Sequence, residues 1–254
     1  YVCFQTQKAP FDDPRVRKAF SLAIDRTYIV NQVTQSGQVE AGGFVPAGVY
    51  DAEGATGDDF RTVGGDYYKP TDADYEANCE EARALLAEAG YENGEGFPVV
   101  EYLYNTSDAH KAVAEALQYM WEEELGVKVT LNNQEWAAFL QTRKDGDYSI
   151  ARNGWIADYN DPISFLDMWM TGGGNNDAQY SNEEYDSLIK EAKTTTDVKE
   201  RMELLHKAED KIIGEDNALA PLYFYTQKYM LADGIEGMYY CPLGYFFFGY
   251  THQA

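Results

Sequence analysis

Positive charge is what this 254-residue chain has least of: 20 Lys and Arg stand against 43 Asp and Glu, a formal net charge of −23. Such a field repels phosphate backbones and anionic lipid surfaces, which argues against nucleic acid or a membrane surface as the partner. No apolar run approaches the roughly 18 residues that a membrane-spanning helix needs. The only cysteines are Cys3, Cys79 and Cys241, far apart, with no CxxC pair and no histidine at zinc spacing. Neither a disulfide scaffold nor a structural zinc site is indicated, although one bridge plus one free thiol fits the count. His206 and His252 have no metal-site spacing. GxSxG, HExxH and GxxxxGK[ST] are all missing, and Gly172-Gly-Gly174 runs into Asn-Asn-Asp without the lysine of a phosphate loop. No cofactor, metal site or enzyme activity is therefore expected. The chain opens at Tyr1-Val-Cys-Phe without an initiator Met, a basic region or an apolar leader, which reads as a removed targeting segment or a piece of a longer protein.

What is present is ordinary for a globular chain: 44% hydrophobic and 25% charged residues, in a length that predicts one large domain or two small ones. The departure is in the aromatics, with 21 Tyr against 12 Phe and 4 Trp. Tyrosine pairs an apolar ring with a polar tip, so a wide half-wet binding cleft and a tyrosine-rich core rim both account for the excess.

Strand and helix signals alternate. Residues 1–7 read as a strand, and Asp13-Pro14 caps a helix running to about Val33. Gly37 to Pro70 reads as a long surface excursion with a strand near Gly43 to Val45. A helix over Asp74 to Ala89 stops at Gly90. The middle is the most regular part. A strand from Pro98 to Tyr104 leads to a helix capped by Ser107, with its stripe on Val113, Leu117, Met120 and Leu125 and its stop at Gly126. A strand from Val127 to Asn132, a helix with Trp136, Phe139 and Leu140, and a strand from Tyr148 to Arg152 follow. A short helix near Ile163 to Trp169, helices at Asn182 to Lys193 and Asp197 to Gly214, and a β-rich run at Leu219 to Tyr225 complete the pattern. The rhythm argues for an α/β layered sheet. Residues 228–254 look like strands that pair with something else, since Tyr245-Phe-Phe-Phe-Gly-Tyr250 is too apolar for a bare tail.

Arg152 falls at the carboxyl end of its strand, where ligands gather in open α/β sheets. Trp155 and Asp158 follow within seven residues, giving a cation, an aromatic wall and a carboxylate, the parts that hold a zwitterion. From spacing alone, an Arg152–Asp158 pair neutralising itself at a sheet edge, with Trp155 as core packing, is the reading favoured over a ligand site. His110, in the first turn of the Ser107-capped helix, points to the same end of the sheet if the two strands run parallel. A helix N-terminus favours its neutral form and welcomes an anion. Asp158 and Asp161 could also be read as the carboxylate pair of a glycoside hydrolase, though close Asp pairs are expected by chance in so acidic a chain.

These residues resemble a family: the extracellular solute-binding proteins of ABC importers, in the oligopeptide, dipeptide and nickel class. Lys8-Ala-Pro-Phe-Asp-Asp-Pro-Arg-Val-Arg-Lys-Ala-Phe20, Leu103-Tyr-Asn-Thr-Ser-Asp-Ala-His-Lys111, Gly126-Val-Lys-Val129, Gln134-Glu-Trp136, Thr142-Arg143 and Ala151-Arg-Asn-Gly-Trp-Ile-Ala-Asp-Tyr-Asn-Asp-Pro162 look like successive landmarks of its second lobe. The resemblance implies an α/β, periplasmic-binding-protein-like (type II) lobe with a mixed sheet flanked by helices and C-terminal crossing strands. It implies a crossing strand at 1–8, the second ligand-binding lobe at 9–226 and a return segment at 227–254 toward a first lobe absent from this sequence. It also implies capture of short peptides, delivery to a membrane permease, and an extracytoplasmic place, periplasmic or lipid-anchored. Asp158 would hold the peptide ammonium, Trp155 would line a side-chain pocket, and Arg152 and His110 would meet the carboxylate. Tyr223 and Tyr225 would lie where the chain leaves the lobe. A nickel chelate, haem or an oligosaccharide is the alternative solute.

Overall fold

The β-α-β-α-β stretch predicted between residues 98 and 152 sits at the centre of the fold. The computed structural model describes residues 1–68, 72–241 and 244–254; Lys69 and Pro70 of the predicted excursion, and Pro242 and Leu243 of the tail, lie outside the described residues. Strand β1 (Val2–Phe4) leads into α1 (Pro14–Leu22), α2 (Arg26–Tyr28) and a wide turn at Ile29–Thr34. Then come β2 (Val39–Glu40), α3 (Phe60–Gly64), α4 (Asp72–Glu88), β3 (Val100–Asn105), α5 (Asp108–Leu125), β4 (Val129–Gln134), α6 (Trp136–Lys144) and β5 (Ile150–Arg152). The remainder is α7 (Ile163–Leu166), α8 (Glu183–Thr194), α9 (Val198–Glu209), β6 (Leu219–Ala220), β7 (Tyr223–Phe224), β8 (Ile235–Glu236), β9 (Tyr239–Cys241), β10 (Tyr245–Phe247) and β11 (His252–Gln253). No helix among the described residues is long and apolar enough to cross a membrane.

The main sheet has the order β4-β3-β5-β1-β6. β3 pairs in parallel with both β4 and β5, while β1 is antiparallel to β5 and to β6, so the sheet is mixed. Its two faces follow from the two-residue period of β1. Phe4 points into an aromatic cluster with Phe11 and Phe20, and Phe20 in turn meets Phe97 and Trp121. Tyr1, on the opposite face, meets Phe44 and Trp169. Trp121 is fully buried and donates its indole N–H to the Phe20 carbonyl (2.9 Å), which ties α5 to α1.

Two local expectations are corrected. The single helix to Val33 is broken after Leu22, because the Asp25 side chain accepts from the Tyr28 amide and caps a new helix. The strand near Gly43 to Val45 is not formed. The Phe44 and Val45 amides instead donate to the buried Glu209 carboxylate (2.8 and 2.9 Å), and the strand of this region is β2, paired with β7. The predicted helix with Trp136, Phe139 and Leu140 is α6, in which Phe139 is buried and Trp136 is 53% exposed. The tail strands pair with one another, β9 with β10 and β8 with β11.

Candidate functional site

Strand direction decides which side chains meet. With β3, β4 and β5 parallel and β1 reversed between β5 and β6, one edge of the sheet collects the carboxyl ends of β3, β4, β5 and β6 and the start of β1. This is the edge where an open α/β sheet gathers ligands. A concavity of about 610 Å³ lined by Ala9, Pro10, Asp13 and Tyr91 lies at the other end, beyond Phe4 and before β3, away from these groups.

Arg152 ends β5, half-buried, with its Nη1 3.5 Å from Asn105 Oδ1 at the end of β3. Its charge acts on Tyr102, Tyr223 and His110. Burial raises the phenol pKa of Tyr102, and the Arg152 charge opposes the rise. Burial, then the adjacent Tyr225, raises that of Tyr223, again opposed by Arg152. The Tyr223 and Tyr225 rings meet edge to face with centroids 5.3 Å apart, and Tyr225 is 62% exposed.

His110 lies in the first turn of α5, where the Ser107 hydroxyl accepts from its backbone amide. The parallel β3–β5 register brings it to the Arg152 end of the sheet. Burial and then the Arg152 charge hold its pKa below the usual value of 6.5, so the ring is neutral at pH 7. Its Nδ1 is buried without a hydrogen-bond partner among the described residues.

After β5 the chain turns out of the sheet. Asn153 Oδ1 accepts from the Gly154 amide, Trp155 donates its indole N–H to the Ser164 carbonyl (2.6 Å), and the Asp158 amide donates to Ser164 Oγ (3.0 Å). Trp155 is half-buried against the core. Asp158 is exposed and has no ion-pair partner among the described residues, so the self-neutralising Arg152–Asp158 pair is not formed. Asp161 is gripped through both oxygens by Arg201 (2.8 and 2.9 Å), which leaves no free Asp158–Asp161 pair for acid–base chemistry.

Sequence reasoning missed several groups at this edge. Asn105 is signalled only by the parallel register. Trp136 opens α6 one residue after β4 and is exposed. Ile156, between Trp155 and Asp158, is 79% exposed. Among the described residues no cluster of His, Cys, Asp or Glu is arranged to hold a metal ion.

Comparison with known proteins bears on the same residues. Residues 1–177 match the family described as bacterial extracellular solute-binding proteins, family 5 middle. The chain is 39% identical over 237 residues to the periplasmic oligopeptide-binding protein OppA of Salmonella typhimurium, covering 93% of this chain and 41% of that protein. It is 38% identical over 244 residues to the dipeptide-binding protein DppE of Bacillus subtilis, covering 95% of this chain and 43% of that protein. The crystal structure of Haemophilus influenzae OppA in complex with RPPGFSPFR is similar with a TM-score of 0.76 at 33% identity, over 93% of this chain and 44% of that one. The chain thus spans about two fifths of the length of the curated relatives it matches. The matched stretch takes in β1 to β5, His110 and the whole Arg152–Asp158 turn. With its mixed sheet flanked by helices, the chain has a periplasmic-binding-protein-like fold and belongs to the bacterial extracellular solute-binding proteins of family 5.

Proposed function

We propose that this chain is the substrate-capturing lobe of a longer ABC-importer receptor, which binds short peptides at the strand-end edge and delivers them to a membrane permease. The observation that carries this reading is a separation of charge. Arg152 and Asp158 lie on one excursion from β5, yet they do not neutralise each other, and Asp158 is left without a counter-charge among the described residues. A zwitterion supplies both missing partners. Asp158 takes the α-ammonium, while Arg152 and the neutral His110 take the carboxylate, the guanidinium through two parallel hydrogen bonds. Trp155, Tyr223 and Tyr225 are the walls for intervening side chains, and their mix of ring surface and polar tips tolerates varied sequences.

In this reading residues 1–8 cross into the lobe, 9–226 form it, and 227–254 return toward a first lobe that encloses the ligand from the other side. The exposure of Tyr229, Met230, Tyr245, Phe248 and Tyr250 supports that arrangement, because so much apolar and aromatic surface is seldom left in water. The receptor works outside the cytoplasm, in a periplasm or lipid-anchored at the cell surface, and binds without turnover. Incubating the full-length receptor with a defined peptide pool tests this. Retained intact peptides are expected; cleaved products in the pool would overturn it.

A further inference from the structure

The Asp158 carboxylate accepts no hydrogen bond among the described residues, so its position is set by the backbone that carries it. That backbone is fastened to its own continuation through Ser164 and to distant parts of the chain at two successive residues, Asn160 and Asp161. Asp161 is held by Arg201 of α9. Asn160 uses both ends of its carboxamide: Oδ1 accepts from the Tyr50 amide (2.8 Å) and Nδ2 donates to the Gly48 carbonyl (3.0 Å). It stands where the peptide group of a neighbouring strand would. Gly48 has a φ of +84°, a conformation that a residue with a side chain rarely adopts.

The 48–51 segment that Asn160 grips is itself anchored. Asp59 Oδ2 accepts from the Gly48 amide, the Val49 carbonyl accepts from the Phe60 amide (2.8 Å), and Tyr50 bridges to Asp59. Asp51, nearly buried, accepts from the Ala52 amide and places its other oxygen 2.8 Å from His206 Nε2. The His206 ring stacks on Phe60, centroids 3.8 Å apart. His206 lies on α9, five residues beyond Arg201. The exposed limb of the Asp158 turn is therefore held by two arms of one helix, Arg201 directly and His206 through Asp51, the 48–51 segment and Asn160.

We propose that Asn160 is a positioning residue for Asp158 and sets the receptor's preference for a free α-amine; this rests on the assignment of Asp158 to the ligand ammonium. Releasing one arm lets the carboxylate wander, and a charge pair weakens as its geometry loosens, whereas contacts elsewhere along the ligand are untouched.

The test uses the full-length receptor, a random tetrapeptide library and the same library N-acetylated, with retained peptide quantified by mass spectrometry after equilibrium dialysis. Wild type is expected to favour the free-amine library. Asn160→Ala should reduce that preference about tenfold while leaving retention of the acetylated library unchanged. Asn160→Ser, whose hydroxyl can donate and accept but on an arm one bond shorter, weakens both bonds without leaving an apolar side chain; it should fall between them, and it carries the test if the alanine variant does not fold. Equal loss for both libraries, or no loss, overturns the proposal while Asp158 keeps its assigned role. A wild-type receptor with no preference for the free amine overturns that assignment, and the proposal falls with it.

Discussion

Replacing Asp158 by Asn in the full-length receptor removes one charge and almost no volume. The side chain is exposed and makes no ion pair among the described residues, so folding stability should change by less than about 0.5 kcal/mol. Ligand affinity is another matter. Two unit charges about 4 Å apart attract by about 1 kcal/mol in bulk water and by about 4 kcal/mol at the effective dielectric of a partly dry protein site. At 1.4 kcal/mol per factor of ten, these limits are roughly fivefold and close to a thousandfold. An enclosed ligand belongs near the upper limit, so Asp158→Asn should weaken a free-amine peptide by a hundredfold or more in titration calorimetry. The overall field cannot produce such a loss, since one charge in a net −23 barely alters it. Repeating the titration with the N-acetylated peptide closes a double-mutant cycle and isolates the amine–carboxylate coupling. A loss under about fivefold for the free amine, or an equal loss for the acetylated peptide, would refute the assignment.

Other consequences follow from the same structure. Because the folded chain holds His110 below its ordinary pKa of 6.5, the unfolded chain takes up that proton first as the pH falls; stability is undiminished above about pH 6.5 and declines below it. Between pH 7 and 5 the wild-type melting temperature should therefore fall more steeply than that of His110→Gln, and parallel profiles would contradict the stated cause. Glu209 is fully buried and depends on Arg61, which meets both its oxygens at 2.8 Å, so Arg61→Ala leaves a buried charge unpaired. The expected cost is about 3–5 kcal/mol, or roughly 10 °C in thermal melts, and a drop of only 1–2 °C would show the pair to be dispensable. Cys3 and Cys79 are buried, with pKa values pushed up to about 12 and about 11, while Cys241 is partly exposed and no two of the cysteines are bridged. At pH 8 a thiol reagent should modify one cysteine quickly in the native chain and three in denaturant; two fast native thiols would contradict the burial.

The centre of the fold was legible because its signals are local. Ser107 caps α5, Gly126 stops it in a left-handed turn, and the apolar stripe between them faces the sheet, so β3, α5 and β4 fall within two residues of expectation. The break between α1 and α2 was not legible. Val16, Phe20, Ala23 and Val30 continue one apolar pattern, and only the Asp25 cap interrupts it. The reversed insertion of β1 between β5 and β6 was equally hidden, since periodicity carries no information on strand order. In the candidate site, the placement of Arg152 at a strand end followed from alternation, whereas its freedom from Asp158 did not, because spacing alone favours the self-neutralising pair. Asn160 had no sequence signal at all. Its partners lie 110 and 112 residues away, and only the folded chain brings Tyr50 and Gly48 to it.

The most direct test of the central claim is native mass spectrometry of the full-length receptor purified without denaturation from its own cells. Short peptides with free α-amines should ride with the protein as discrete mass increments and appear intact once released. Haem, a nickel complex, an oligosaccharide or any other non-peptide solute in their place would contradict the account.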